Sequence, residues 1–212
     1  MSCITITSVQ RSSAYDYRVD ISTGETFTFN SEDAEELTAP PREGDEVTEQ
    51  LYDLLTQADS YYKCARRAVY LLSFSAMSKR KLYDKLVKAA FDKQTAMAIA
   101  DRFEQKRMID DFDFALTKAQ WMKEGKNYGP QRIKSDLISN YRIPVETVKE
   151  VLEDESLADY SENLAAMIRR KFNRSALMDK DARNKAVDAL RRNGYAYDEI
   201  KRALLSFING KD

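Results

Sequence analysis

The sequence predicts a mainly α-helical protein of tandem three-helix repeats, forming an elongated curved body, with a small N-terminal antiparallel β meander. Three observations predict it. Breakers are scarce, with six glycines and four prolines among 212 residues, while Ala, Leu, Lys and Arg abound. The first thirty residues alternate with a period of two, as strands do. From about Glu46 onward the apolar spacing becomes helical and repeats at intervals of about fifty residues.

The strands come first. Cys3–Val9 puts Ile4 and Ile6 on one face of a β-branched run, and Tyr15, Tyr17, Val19 and Ile21 share one face of a second. Ser22-Thr23-Gly24-Glu25 reads as a hairpin turn, with Thr26–Phe29 returning. Such a meander is marginal alone and needs a helix to pack on. Residues 1–45 thus form an acidic β leader. Pro40, Pro41 and Gly44 mark its end, and 46–60 is a short connecting helix with Val47, Leu51, Leu54 and Leu55.

The repeat shows in three basic–apolar–Leu helices. Lys81-Leu82-Tyr83-Asp84-Lys85-Leu86 aligns with Arg132–Leu137 and Lys185–Leu190 at offsets of 51 and 53 residues. Each meets a short break with an apolar residue, Phe91, Ile143 or Tyr195, and then a further helix. Upstream helices are expected near Cys64–Phe74, Phe112–Lys123 and Ser156–Phe172. The repeats are therefore 61–110, 111–155 and 156–212. A lone helix cannot bury its apolar stripe, whereas stacked three-helix units can.

Composition excludes several functions. With no histidine there is no imidazole base or metal ligand, and two isolated cysteines make a poor zinc set. No run of 18 apolar residues spans a membrane, and no signal peptide opens the chain. A cytoplasmic monomer without cofactor or enzymatic activity is expected. The net charge of −1 conceals segregation: residues 1–60 hold 3 basic and 13 acidic side chains, and the remainder 31 and 22. The acidic run is Glu32, Asp33, Glu35, Glu36, Glu43, Asp45, Glu46 and Glu49. A basic body of this kind suits a polyanion or an acidic protein groove, although charged helix faces are also ordinarily just solvated.

The motifs then resemble those of the RecX family of regulatory proteins. They are Cys64–Leu72 followed by Met77–Leu86; Met108-Ile109-Asp110-Asp111-Phe112-Asp113-Phe114-Ala115; Gly125-Lys126-Asn127-Tyr128-Gly129-Pro130-Gln131-Arg132-Ile133; and Leu190-Arg191-Arg192-Asn193-Gly194-Tyr195. Three departures stand out. Ala90 occupies a usual glycine position, the break Asn140–Ile143 is one residue longer than usual, and Ala186 replaces Ile or Leu. The resemblance implies a non-enzymatic regulator, usually an inhibitor, of the RecA recombinase. Such a protein lies in the groove of the RecA–single-stranded DNA filament and suppresses ATP hydrolysis and strand exchange. The alternative is a RecA-independent nucleic-acid-binding repeat protein, touching DNA directly.

Candidate partner or DNA contacts are Arg66, Arg67, Lys79, Arg80, Lys81, Lys126, Tyr128, Arg132, Arg169, Arg170, Lys171, Arg191 and Arg192. Tyr61 and Tyr62 beside Lys63 are weaker base-stacking candidates. Asp110 and Asp111, with Asp113, suit a helix cap better than a divalent metal. Phe114 and Ala115 should pack inward, tying the first two repeats. Gly125 and Gly129 lack the lysine placement of a phosphate loop and read as helix stop and turn, with Pro130 opening the next helix. Gly194 is likewise a turn residue. Trp121 is expected in the packing, an exposed anchor being the alternative. Cys64 reads as a small buried hydrophobe.

Overall fold

The computed structural model describes residues 3–13, 15–31 and 41–210. Glu32, Asp33, Glu35 and Glu36 of the acidic run, and Pro40, lie outside them. The chain divides into two compact units, Met1–Ala76 with Leu82–Lys106, and Met77–Lys81 with Arg107–Asp212.

In the first unit three strands, β1 (Ile6–Arg11), β2 (Asp16–Ile21) and β3 (Thr26–Asn30), form an antiparallel sheet in chain order. Val9 pairs with Val19, and Val19 with Phe27. The first strand begins later than its alternation suggests. A register shift falls between Ile6 and Ser8, and Ile4–Ile6 instead exchanges backbone bonds with Gly44–Val47. Gly24 takes a φ of 90° in the β2–β3 turn, where a side chain would be strained. Tyr15 is exposed rather than sharing the buried face of Val19 and Ile21. Ile6, Val19, Ile21, Phe27, Phe29 and Val47 make the core with Leu55 and Ala58 of a helix laid across the sheet.

That helix, α1 (Glu49–Phe74), runs unbroken through the expected boundary at residue 60. Thr48 caps it by accepting the Leu51 amide at 3.2 Å. The two expected helices are one because nothing between 49 and 74 breaks the backbone. What changes at residue 60 is the buried side. Leu55 and Cys64 are both fully buried, yet nine residues is about two and a half turns at 3.6 residues each, so they face opposite ways. The first turns pack on the sheet. The last pack towards α3 (Lys93–Gln105), whose Ala96, Ile99, Ala100 and Phe103 are buried. Between them in sequence, α2 (Lys79–Lys88) buries Leu82 and Leu86.

Among its described residues the second unit holds six more α-helices: α4 (Asp111–Lys126), α5 (Pro130–Ser139), α6 (Val145–Leu152), α7 (Ser161–Lys171), α8 (Lys180–Arg192) and α9 (Tyr197–Asn209). The helix expected over Ser156–Phe172 is shorter, because a 3-10 turn at Glu155–Leu157 precedes α7. Helices α4–α6 enclose a core of Ala115, Ala119, Met122, Ile133, Leu137, Ile143, Val148 and Val151, with Leu157. Helices α7–α9 enclose Leu164, Met167, Ile168, Ala186, Leu190, Tyr195, Ile200 and Leu204. Tyr160 packs against both cores.

The breaks between second and third helices share one device. Ala90, Arg142 and Gly194 all have positive φ, 69°, 61° and 94°, and fall at equal intervals along the chain. The left-handed residue turns the chain out of the helix so that the next apolar residue reaches back to it. Phe91 donates its amide to the Leu86 carbonyl, and Tyr195 to that of Leu190. In the middle break the longer loop makes the same return, with Ile143 donating to Leu137. The extra residue therefore leaves the architecture intact.

Candidate functional site

The two aspartates of the Asp110-Asp111 pair cap different helices. Asp110 accepts the Asp113 amide at 3.0 Å and caps α4. Asp111 accepts the Lys79 amide at 2.8 Å, at the start of α2. Ser78, fully buried, completes that start by donating to the Tyr141 carbonyl at 2.5 Å and accepting the Lys81 amide at 3.2 Å. These bonds hold Met77–Lys81 in the second unit. Among the described residues no cluster of His, Cys, Asp or Glu is disposed to hold a metal. Ala115 is buried, and Phe114 packs edge-on to Tyr141 at 5.8 Å.

Helix α4 does not stop at Gly125. It runs to Lys126 and ends on Asn127, which takes φ 51°. Asparagine tolerates this left-handed position better than most residues, and here its side chain and backbone are also held. Asn163 donates to Asn127 Oδ1 at 3.1 Å, and the buried Tyr195 hydroxyl donates to the Asn127 carbonyl at 2.8 Å. Gly125 sits in the last turn, with the Trp121 indole over it.

Gly129 and Gly194 meet. Gly129 donates to the Asn193 carbonyl at 2.8 Å, and Gln131 to that of Gly194 at 3.2 Å. A methyl group at Gly129 would stand 2.5 Å from the Gly194 carbonyl oxygen, and one at Gly194 would strike Arg132. Both turns thus need glycine for closeness. The seam brings the end of α8, with Arg191 and Arg192, beside the α4–α5 turn with Lys126, Tyr128 and Arg132.

On that turn cations and rings alternate. The Lys126 ammonium lies 4.3 Å from the Trp121 ring centroid and 5.5 Å from that of Tyr128, and the Arg132 guanidinium is 5.5 Å from Tyr128. Arg132 also meets Asp136 at 3.2 Å. Trp121 is 50% exposed, contrary to its expected place in the packing, because the buried side of α4 is taken by Ala115, Ala119 and Met122. A second alternation joins Lys81 and Lys118 to Tyr141, at 5.6 and 5.9 Å, and Lys118 to Phe114 at 5.4 Å. Lys118 and Tyr141 were not legible as site residues, since they are distant in sequence and meet only through the fold.

The four basic clusters stand in different electrostatic positions. Arg169-Arg170-Lys171 and Arg191-Arg192 occupy the last turns of α7 and α8, where cations complement the helix dipole. Arg169 also faces Glu162 at 3.7 Å. Arg66 and Arg67 lie exposed in the body of α1. Lys79-Arg80-Lys81 opens α2, with no acidic residue in that turn, so its charges oppose the dipole. The Asp111 carboxylate, accepting the Lys79 amide, offsets that opposition at the start of the helix.

The buried Cys64 thiol is pushed up to about 12, chiefly by burial, and is no nucleophile at neutral pH. No helix among the described residues is long and apolar enough to cross a membrane.

No family model matches the chain. Regulatory protein RecX of Xanthomonas axonopodis pv. citri is 30% identical over 138 residues, 65% of this chain and 83% of that protein. The chain belongs to the RecX family. Regulatory protein RecX of a Geobacillus strain is 23% identical over 215 residues, covering all of this chain and 79% of its own. A solved crystal structure of regulatory protein RecX superposes with a TM-score of 0.71 over 93% of this chain and 97% of the other, at 16% identity. The RecX fold, helices after a small sheet, is therefore the fold of this chain.

Proposed function

We propose that this RecX-family chain inhibits the RecA recombinase by binding the RecA–single-stranded DNA filament and suppressing ATP hydrolysis and strand exchange. It acts without chemistry of its own, by occupying the filament groove. Family membership supports a regulator. The observation that carries the reading further is the surface alternation of Trp121, Lys126, Tyr128 and Arg132. Surface cations draw a polyanion, and the half-exposed Trp121 ring stands among them. Arg191 and Arg192 extend that surface across the glycine seam, and Lys79, Arg80 and Lys81 add a second positive patch. Helices from Tyr61 onward are taken as three repeats, 61–110, 111–155 and 156–212, a division supported by the evenly spaced turns at Ala90, Arg142 and Gly194.

The second reading, a nucleic-acid binder independent of the recombinase, is favoured by the exposure of Trp121. Fluorescence anisotropy separates the two. The chain is titrated onto a labelled thirty-nucleotide strand, bare or assembled with cognate RecA and a slowly hydrolysed nucleotide. Binding at least tenfold tighter to the filament supports the regulator. Equal binding to both favours the second reading.

A further inference from the structure

Beyond the part of α1 that packs on the sheet through Leu51, Leu55 and Ala58, the helix presents an exposed face. At 3.6 residues per turn, Lys63, Arg66, Arg67, Tyr70 and Phe74 share one exposed face of the helix, with Tyr62 at its edge. Cys64 and Ala68, both fully buried, occupy the other. The uncovered stretch is apolar as well as basic. Tyr70 is 53% exposed and Phe74 71%, and Val69 beside them is half-exposed. Tyr70 and Phe74 meet edge-to-face at 4.8 Å.

Its charge has one sign. No acidic residue occurs between Ser60 and Phe74. Lys63 is paired with Asp59 at 2.6 Å. The guanidinium of Arg66 lies 5.9 Å from the Tyr62 ring and that of Arg67 5.1 Å from the Tyr70 ring. A guanidinium laid on a ring is fixed in orientation while its edge still presents a fork of donors to a carboxylate.

We propose that this outward face of α1 is a protein-docking surface whose occupant is an acidic segment of the recombinase carrying an apolar side chain, with carboxylates meeting Arg66 and Arg67 and the apolar group packing on Tyr70 and Phe74. The inference rests on the regulator reading above and names the part of the partner that this face takes. A protein occupant is favoured over a nucleic-acid strand by the ring geometry. Arg67 covers one face of Tyr70 and Phe74 stands edge-on to it, so no series of open parallel faces awaits bases, whereas the exposed apolar surface of the edge-to-face pair suits an aliphatic group.

The test uses the full chain with Phe74→Ser and with Arg66→Gln/Arg67→Gln. All three side chains are exposed, so thermal melting should not move. Binding to immobilised cognate RecA without DNA, and to a labelled thirty-nucleotide thymidine strand, are both measured. The proposal predicts at least tenfold weaker RecA binding by each variant, with strand binding within twofold of the parent. Unchanged RecA binding by both variants overturns it, leaving a solvated face. Strand binding that falls as far as RecA binding overturns it in favour of a nucleic-acid surface. If the parent chain neither binds RecA nor alters its ATP hydrolysis, the regulator reading fails and this one with it.

Discussion

Three turns adopt the same left-handed backbone, yet only one of them needs glycine. At Ala90 and Arg142 the positive φ follows a helix end at an exposed residue, and non-glycine residues are tolerated. At Gly194 the same conformation coincides with the close approach of another backbone. Gly129, whose φ is ordinary, is glycine for closeness alone. Conformation asks for glycine weakly, at about 1 kcal/mol, whereas backbone contact leaves no room for anything else.

Filling the seam should have the largest effect. Gly194→Ala should cost about 3 kcal/mol or more, the sum of left-handed strain and overpacking against Arg132. Gly129→Ala should cost about 2 kcal/mol from overpacking alone. Urea unfolding of the intact chain reads both, and a loss below about 0.5 kcal/mol would show the turns to be looser than described. Asp110→Ala follows, at about 1 kcal/mol for a lost cap, measured in the same way.

The solvent-facing turns should move in the opposite direction. Ala90→Gly should stabilise by about 0.5 kcal/mol, relieved strain exceeding the entropy added to the unfolded chain. A loss on this substitution would mean that Ala90 is held by packing.

The smallest effects concern the junction residue Tyr160. Its hydroxyl is buried without a hydrogen-bond partner, and burial raises its pKa to about 12. Tyr160→Phe should therefore be neutral or slightly stabilising. The folded value lies above the ordinary value near 10. The associated stability is complete below about pH 10 and is lost as pH rises towards 12. The parent should thus lose more stability over that interval than Tyr160→Phe, as melting temperatures would show. At the acid end Asp92 has the opposite sign. Its hydrogen bonds with Thr95 hold its carboxyl below the usual range, so its contribution is present above about pH 4 and fades as pH falls further.

Much of this was legible in the sequence. Period-two alternation located the sheet, and the fifty-residue self-similarity located the helices, because burial forces each pattern directly. Helix α1 reads as two elements in the sequence because its buried side changes halfway, putting its pattern out of phase with itself. Glycine breaks helices on average, so the sequence points to Gly125 as the stop, while the actual stop, Asn127, is held by Asn163 and Tyr195 from far along the chain. The basic residues of the site were readable as charge. Their rings were not, since Trp121 was judged by the usual burial of tryptophan, and Tyr141 meets Lys118 only in the fold.

The most direct measurement is single-stranded-DNA-dependent ATP hydrolysis by cognate RecA, titrated with this chain at two salt concentrations. The same titration is run with Lys79, Arg80 and Lys81 changed to glutamine. A dose-dependent fall is expected, complete near one chain per recombinase, weaker at high salt, and at least tenfold less potent for the triple variant. Unchanged hydrolysis at every ratio, with no binding to the filament, would contradict it.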